Sequence, residues 1–264
     1  MNLCDTHAHL YLEEFDPDRD AVVTRAVASG VTEILLPNID SSSINQLLQL
    51  SSVYPSICHP MMGLHPTSVK SNWQEELDII EEYLDAPEYC FRAIGEIGID
   101  LYWDKTFAEE QKMAFSRQLD LAIRHKLPVA VHTRNSFDLT ADIIASKNNP
   151  EVRGVFHCFG GNLAQAKRAI SLGFLLGIGG VITYRNSGLQ QVVAETGLEH
   201  LLLETDAPFL PPVPHRGQRN ESCYIPLVAA KIAEIKGTQI ETVARVTTEN
   251  AIKLFDLSPC TPSP

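Results

Sequence analysis

An α/β fold, a (β/α)8 TIM barrel in a single domain, is the architecture this sequence predicts, and three observations carry it. Short β-rich runs alternate with helix-patterned stretches along the whole chain, the signature of βα units feeding a parallel sheet. Eight such runs can be placed. The length, 264 residues, is one at which a single α/β barrel closes around one core. A doubly wound open sheet is the alternative that the same alternation permits.

In chain order the candidate strands are 3–9, 33–37, 57–63, 92–96, 128–132, 154–157, 174–178 and 201–206. Between them lie amphipathic segments. Trp73, Leu77, Ile80 and Leu84 share one helical face, as do Phe115, Leu119, Ala122 and Ile123. Strand five reads Val129-Ala130-Val131-His132, so the valines face the outer helices while Ala130 and His132 point inward; Val155 and His157 repeat this in strand six. Two further helical segments, 224–236 and 240–255, follow the last strand. The barrel domain is expected to span 1–257, with 258–264, which carries three prolines and no periodicity, as a loose tail.

Composition narrows the class. Hydrophobic residues at 44% and charged residues at 20% exclude disordered, collagen-like and coiled-coil chains. No apolar run reaches the roughly 18 residues a membrane helix needs. The opening residues carry Asp5, His7 and His9 where a signal peptide would need an apolar core, so a cytoplasmic location without membrane association is expected. The cysteines at 4, 58, 90, 158, 223 and 260 form no CxxC pair and are expected as reduced thiols, mostly buried. A net charge of -12 speaks against a broad basic face for nucleic acid, though not against a nucleic-acid enzyme that draws phosphate in with metal ions.

The chemistry gathers at strand ends. Asp5, His7 and His9 share a strand face, and the two histidines can converge on one metal. His132 and His157 close strands five and six, Glu96 closes strand four, and Glu204-Thr205-Asp206 closes strand eight. All lie at the C-terminal face, where barrel enzymes build their sites. Imidazole and carboxylate together suit Zn²⁺, Mn²⁺, Co²⁺ or similar ions, Mg²⁺ included. Six such groups exceed the three protein ligands of one open catalytic site, which predicts two divalent ions with Glu96 able to bridge them.

Seven segments, in order, carry a resemblance: Asp5-Thr6-His7-Ala8-His9, Gly63-Leu64-His65-Pro66, Gly95-Glu96-Ile97-Gly98-Ile99-Asp100, Val131-His132-Thr133-Arg134, His157-Cys158-Phe159, Glu204-Thr205-Asp206-Ala207-Pro208, and His215-Arg216-Gly217 with Arg219-Asn220-Glu221. Over residues 1–255 the chain resembles the TatD family of metal-dependent DNases, within the amidohydrolase-like barrels. The resemblance implies His7, His9, Glu96, His132, His157 and Asp206 as metal ligands. It also implies metal-dependent hydrolysis of DNA phosphodiesters, often as a 3′-5′ exonuclease. Thr133-Arg134-Asn135, Phe159-Gly160-Gly161 and Ser222 depart from the family pattern and bear on substrate preference rather than on the ligands.

Asp206 is read as the base that orients a water and accepts its proton, with Glu96 also catalytic. His65, Arg134 and the loop carrying His215, Arg216 and Arg219 are read as substrate-binding, and His59 is placed on the same strand-end face as His65. Asp5 and Glu204 are expected to orient ligand histidines from behind. Gly177-Ile178-Gly179-Gly180 lacks the spacing of a dinucleotide loop, and Trp73 and Trp103 read as core or lid residues rather than as platforms for bases. The expected substrate is DNA, with RNA or tRNA as further possibilities and no obligate protein partner. Two other readings stay open: hydrolysis of an amide, ester or lactone, such as aminoacyl-tRNA deacylation, and a metal-binding adaptor without turnover.

Overall fold

The computed structural model describes residues 1–185 and 187–257; the expected tail at 258–264 lies outside the described residues. Strands and helices alternate as β1 (Leu3–Asp5), α1 (Arg19–Ala28), β2 (Val31–Pro37), α2 (Ile44–Val53), β3 (Cys58–Met61), α3 (Trp73–Asp85), β4 (Ile94–Asp100), α4 (Ala108–His125), β5 (Val129–Arg134), α5 (Phe137–Lys147), β6 (Gly154–Phe156), α6 (Leu163–Ser171), β7 (Phe174–Ile178), α7 (Leu189–Glu195) and β8 (Leu201–Leu203). Helices α8 (Ile225–Lys236) and α9 (Ile240–Phe255) end the fold.

All pairings are parallel, in one arc β1-β2-β3 and another β4-β5-β6-β7-β8. Backbone hydrogen bonds sew both seams. Between β3 and β4, Arg92 N–H donates to Pro60 O at 3.0 Å and Met62 N–H to Ala93 O at 3.1 Å. Between β8 and β1, Thr6 N–H donates to Leu203 O at 3.0 Å and His9 N–H to Ala207 O at 2.7 Å. The arcs therefore close into the expected (β/α)8 barrel, which removes the exposed edges an open doubly wound sheet would keep.

The barrel interior is filled by Cys4, Leu35, Met61, Ala93, Ala130, Val155 and Leu202, with Leu254 and Phe255 of α9 packed beneath them. A second apolar layer joins the outer strand faces, such as Ile34, Val129 and Val131, to Leu77, Ile80, Phe115 and Leu119 on the helices. Each fully buried side chain of this size contributes about 1.5–3 kcal/mol. Helix α9 crosses the N-terminal end of the barrel: Thr248 Oγ1 donates to Asn2 O at 3.1 Å and Asn250 Nδ2 to Leu201 O at 3.0 Å. The C-terminal end opens into a cavity.

Three readings need correction. His59 pairs with Glu33 and stands opposite Leu35, low in the barrel and away from His65. Cys90 is disulfide-bonded, not a reduced thiol. Cys4 and Cys58 are free and buried, Cys158 and Cys223 free and half-buried, and Cys260 lies outside the described residues. Strand β4 runs on to Asp100, beyond the expected end at Glu96. Its register slips between Ile94 and Ile97, and Gly98 adopts φ +144° against His132 O, where a Cβ would come within 2.0 Å. Among the described residues no helix is long and apolar enough to cross a membrane.

Candidate active site at the barrel mouth

Glu96 stands at the centre, buried, with imidazoles around its two oxygens. Oε1 lies 2.8 Å from His132 Nδ1, 2.8 Å from His157 Nε2 and 3.2 Å from His65 Nε2; Oε2 lies 3.0 Å from His7 Nε2 and 3.5 Å from His9 Nε2. Asp206 Oδ1 approaches His9 Nε2 at 3.8 Å and His7 Nε2 at 3.9 Å. The period of two predicts this convergence for strands five and six. At β1 the strand stops at Asp5, and His7 and His9 reach the mouth instead from an extended segment held by β8, since Asp206 N–H donates to His7 O at 2.8 Å.

Burial alone would raise the Glu96 pKa, but the charges of His157, His65 and His7 and the hydrogen bond from His132 outweigh it and hold the carboxyl well below its ordinary range. Burial opposes charge on the imidazoles of His7, His65, His132 and His157. It wins at His7, whose pKa falls well below the usual value, and at His65; at His157 the Glu96 carboxylate wins and the pKa rises. Asp206, with burial as the main cause, is pushed up to about 6.

Three groups of donors lie close enough to share an ion, every pair of ligand atoms within 4.8 Å: His7, His157 and Asp206; His7, His9 and Glu96; His65, Glu96 and His132. Imidazole nitrogen with carboxylate oxygen is the donor chemistry of Zn²⁺, Mn²⁺ and Co²⁺ sites. The packing also leaves buried polar atoms, His7 Nδ1, His157 Nδ1 and Glu204 Oε2, without hydrogen bonds, an expense that folds seldom tolerate away from functional sites. The residues therefore fit a metal centre, and His65, read from sequence as a substrate contact, belongs to the same donor cluster.

The two supporting carboxylates stand differently. Glu204 stands behind His157, Oε1 3.6 Å from Nδ1, and accepts the Cys158 amide at 2.5 Å; it fits there because Gly177 has no Cβ, which would meet Glu204 Oε2 at 2.2 Å. Asp5 touches no ligand imidazole. Its carboxylate accepts Thr205 N–H at 2.9 Å and Thr205 Oγ1–H at 2.6 Å, stapling β1 to the segment after β8, and burial pushes its pKa up to about 7. Sequence reasoning passed over two residues. Asp100 Oδ2 lies 3.0 Å from His132 Nε2, and Tyr11 Oη lies 3.0 Å from His9 Nδ1 while donating to Pro37 O at 2.6 Å.

The centre opens into a cavity of about 950 Å³ lined by His9, His65, Glu96, His132, His157 and Asp206, and by Arg134, Trp103, Phe209 and Leu210 toward the rim. His215, Arg216 and Arg219 do not line this cavity. His215 stacks on Tyr224 with ring centroids 3.9 Å apart, and Arg216 lies over the Tyr184 ring. Arg219 is spent on the scaffold, donating to Asp18 at 2.7 and 2.9 Å and to Glu221 at 2.9 Å, so the phosphate-contact reading of this arginine is corrected. Trp103 is a rim residue, 69% exposed, whereas Trp73 packs on the core.

The family model "TatD related DNase" matches residues 4–256, which is the barrel together with this mouth. The chain belongs to the TatD family. Among its TatD relatives, the "Uncharacterized metal-dependent hydrolase YabD" of Bacillus subtilis is 38% identical over 97% of this chain and 100% of its own. The "3'-5' ssDNA/RNA exonuclease TatD" of Pectobacterium carotovorum is 32% identical over 96% of this chain and 99% of its own. The solved structure of YjjV, a TatD homolog from Escherichia coli, superposes with a TM-score of 0.91 at 33% identity, covering 96% of this chain and 98% of that one. The chain is thus a TatD-family metal-dependent hydrolase of the DNase group.

Proposed function

We propose that this TatD protein is a deoxyribonuclease that removes nucleotides from the 3′ end of single-stranded DNA, with RNA as a second substrate. His7, His9, Glu96, His132, His157 and Asp206 would hold two divalent ions, Mg²⁺, Mn²⁺, Zn²⁺ or Co²⁺, with His65 a further donor within reach. When bound, the ions would supply Lewis acidity toward the phosphate oxygens and bring the pKa of a coordinated water toward neutrality. Asp206 orients the attacking water and takes its proton, a role supported by its place at the edge of the donor cluster, 3.8 Å from His9 Nε2 and 3.9 Å from His7 Nε2 and lining the cavity. Glu204 and Asp100 fix His157 and His132 from behind, and Arg134 contacts the phosphate.

One observation carries the reading: six imidazole and carboxylate donors converge around a single buried carboxylate at the open end of the barrel. The polarity and the strand preference rest on the relative named a 3′-5′ ssDNA/RNA exonuclease. The test is a digest of 3′- and 5′-labelled oligonucleotides by metal-loaded protein, beside amide and aminoacyl-ester substrates. Stepwise shortening from the 3′ end is expected; turnover of the ester or amide with intact DNA overturns the proposal.

A further inference from the structure

We propose that Trp103, backed by Tyr102 and Arg134, is a stacking subsite for the nucleobase adjoining the scissile phosphate; the inference rests on the nuclease reading above. Large aromatic side chains fill cores or interfaces, yet Trp103, which lines the cavity, is 69% exposed, and Tyr102 beside it is 51% exposed. Their rings meet edge to face, with centroids 4.9 Å apart at 85°, and the exposure of Trp103 leaves ring surface for an incoming base. The Arg134 guanidinium lies 4.0 Å from the Tyr102 ring centroid and 5.0 Å from that of Trp103. Among the described residues the guanidinium makes no ion pair or side-chain hydrogen bond, which leaves its N–H groups to a phosphate while the rings take the base.

The platform is also indexed to the centre. Asp100 Oδ1 accepts the Tyr102 amide at 2.8 Å and the Trp103 amide at 3.3 Å, while its Oδ2 meets His132 Nε2 at 3.0 Å. Asp100 itself is held by Gln111, whose Oε1 accepts its amide at 2.8 Å. One buried carboxylate thus spaces the aromatic pair from the donor cluster, as needed if a base is to stack while its own phosphate reaches the site. Stacking discriminates little among bases because each offers a π face, so the subsite gives a preference for unpaired strands without sequence readout.

The experiment compares wild type, Trp103→Ala and Trp103→Phe on an oligothymidylate and on a deoxyribose-phosphate strand of equal length that lacks bases. On oligothymidylate, Trp103→Ala should raise KM about tenfold with kcat unchanged, and Trp103→Phe should restore most of the loss. On the abasic strand, wild type and Trp103→Ala should have the same KM. Equal KM values on oligothymidylate, a penalty that persists on the abasic strand, or a loss confined to kcat would overturn the stacking assignment and leave the nuclease reading standing. A wild-type protein that degrades no oligonucleotide overturns the nuclease reading itself, and the subsite with it.

Discussion

Replacing Asp206 by Asn separates the chemistry of the mouth from its architecture. The carboxylate meets its nearest histidine nitrogens at 3.8 and 3.9 Å, so the change removes a charge without breaking a short hydrogen bond. Burial holds this carboxyl at about 6 against an ordinary 3.8, roughly two pKa units or about 3 kcal/mol. In metal-free protein, the native state keeps the proton where the unfolded chain has lost it, so the Asp206 contribution to stability falls as pH rises from about 4 to about 6. Asn carries no such dependence. Metal-free Asp206→Asn should therefore be more stable than wild type at about pH 8, by up to about 3 kcal/mol, and the gap should close as pH falls toward about 4. With metal and labelled DNA, loss of the positioned base should lower kcat by about 10² to 10⁴, or roughly 3–5 kcal/mol of barrier. Urea unfolding at the two pH values and single-turnover kinetics read both effects. Near-normal kcat would refute the base assignment, and a metal-free variant less stable than wild type at the higher pH would refute the burial argument.

Stripped and reloaded protein should bind about two divalent ions per chain by metal analysis, because its clustered imidazole and carboxylate donors exceed the needs of one open site; a stoichiometry of zero with no activity restored would remove the metal reading. Asp100→Asn should weaken metal binding about 10- to 100-fold in titration, since the residue behind His132 loses its second acceptor oxygen; unchanged affinity would make Asp100 a loop pin only. Arg219→Ala should lower the unfolding midpoint and leave KM for DNA unchanged, because Asp18 and Glu221 already occupy the guanidinium; a raised KM would return that loop to the substrate. Asp5→Ala should cost about 2–3 kcal/mol in denaturant unfolding for the two buried Thr205 donors it orphans; loss of metal at full stability would contradict its role as a staple.

The donors were legible because a strand repeats every two residues. Ala130 with His132, and Val155 with His157, put a small core residue and a ligand candidate on one inward face, and the structure keeps that parity. The same rule reached Asp100 from Glu96, yet it says nothing about which polar residue will find a partner, and Tyr11 lies in a turn beyond β1, where the rule does not run. The pairing of Asp100 with His132 depends on β4 lying beside β5 in a register that a glycine at 98 permits. Arg219 was misread for the opposite reason. Its local sequence is basic, and of the two acids that hold it Glu221 is a near neighbour, but Asp18 is 201 residues away and no local pattern reports such a pair. His59 shows how parity without position misleads: an inward-facing residue near the start of a strand joins the floor of the barrel, not its mouth.

Both ends of the barrel follow from this one register. At the floor, Cys4, Leu35, Met61, Ala93, Ala130, Val155 and Leu202 point into the space that α9 seals with Leu254 and Phe255. Continuing along the same inward face, Ala130 is followed by His132, Val155 by His157, and Leu202 by Glu204 and Asp206. A register slip of one residue in β5, β6 or β8 would turn both sets outward at once, burying donors against the helices and exposing apolar side chains to the cavity. The apolar floor thus fixes where the donors stand. Conversely, the buried Glu96 and its ring of histidines are tolerated because the floor beneath excludes water and the helices hold the strands in place. Positive φ values at Asp206 and Cys158 lie at this mouth, where the chain leaves the sheet to aim a carboxylate and to bring an amide within 2.5 Å of Glu204. Strain at these turns, about 1 kcal/mol or more each, persists because the seams on either side over-determine the backbone, and it falls on the residues that the proposed chemistry needs aimed.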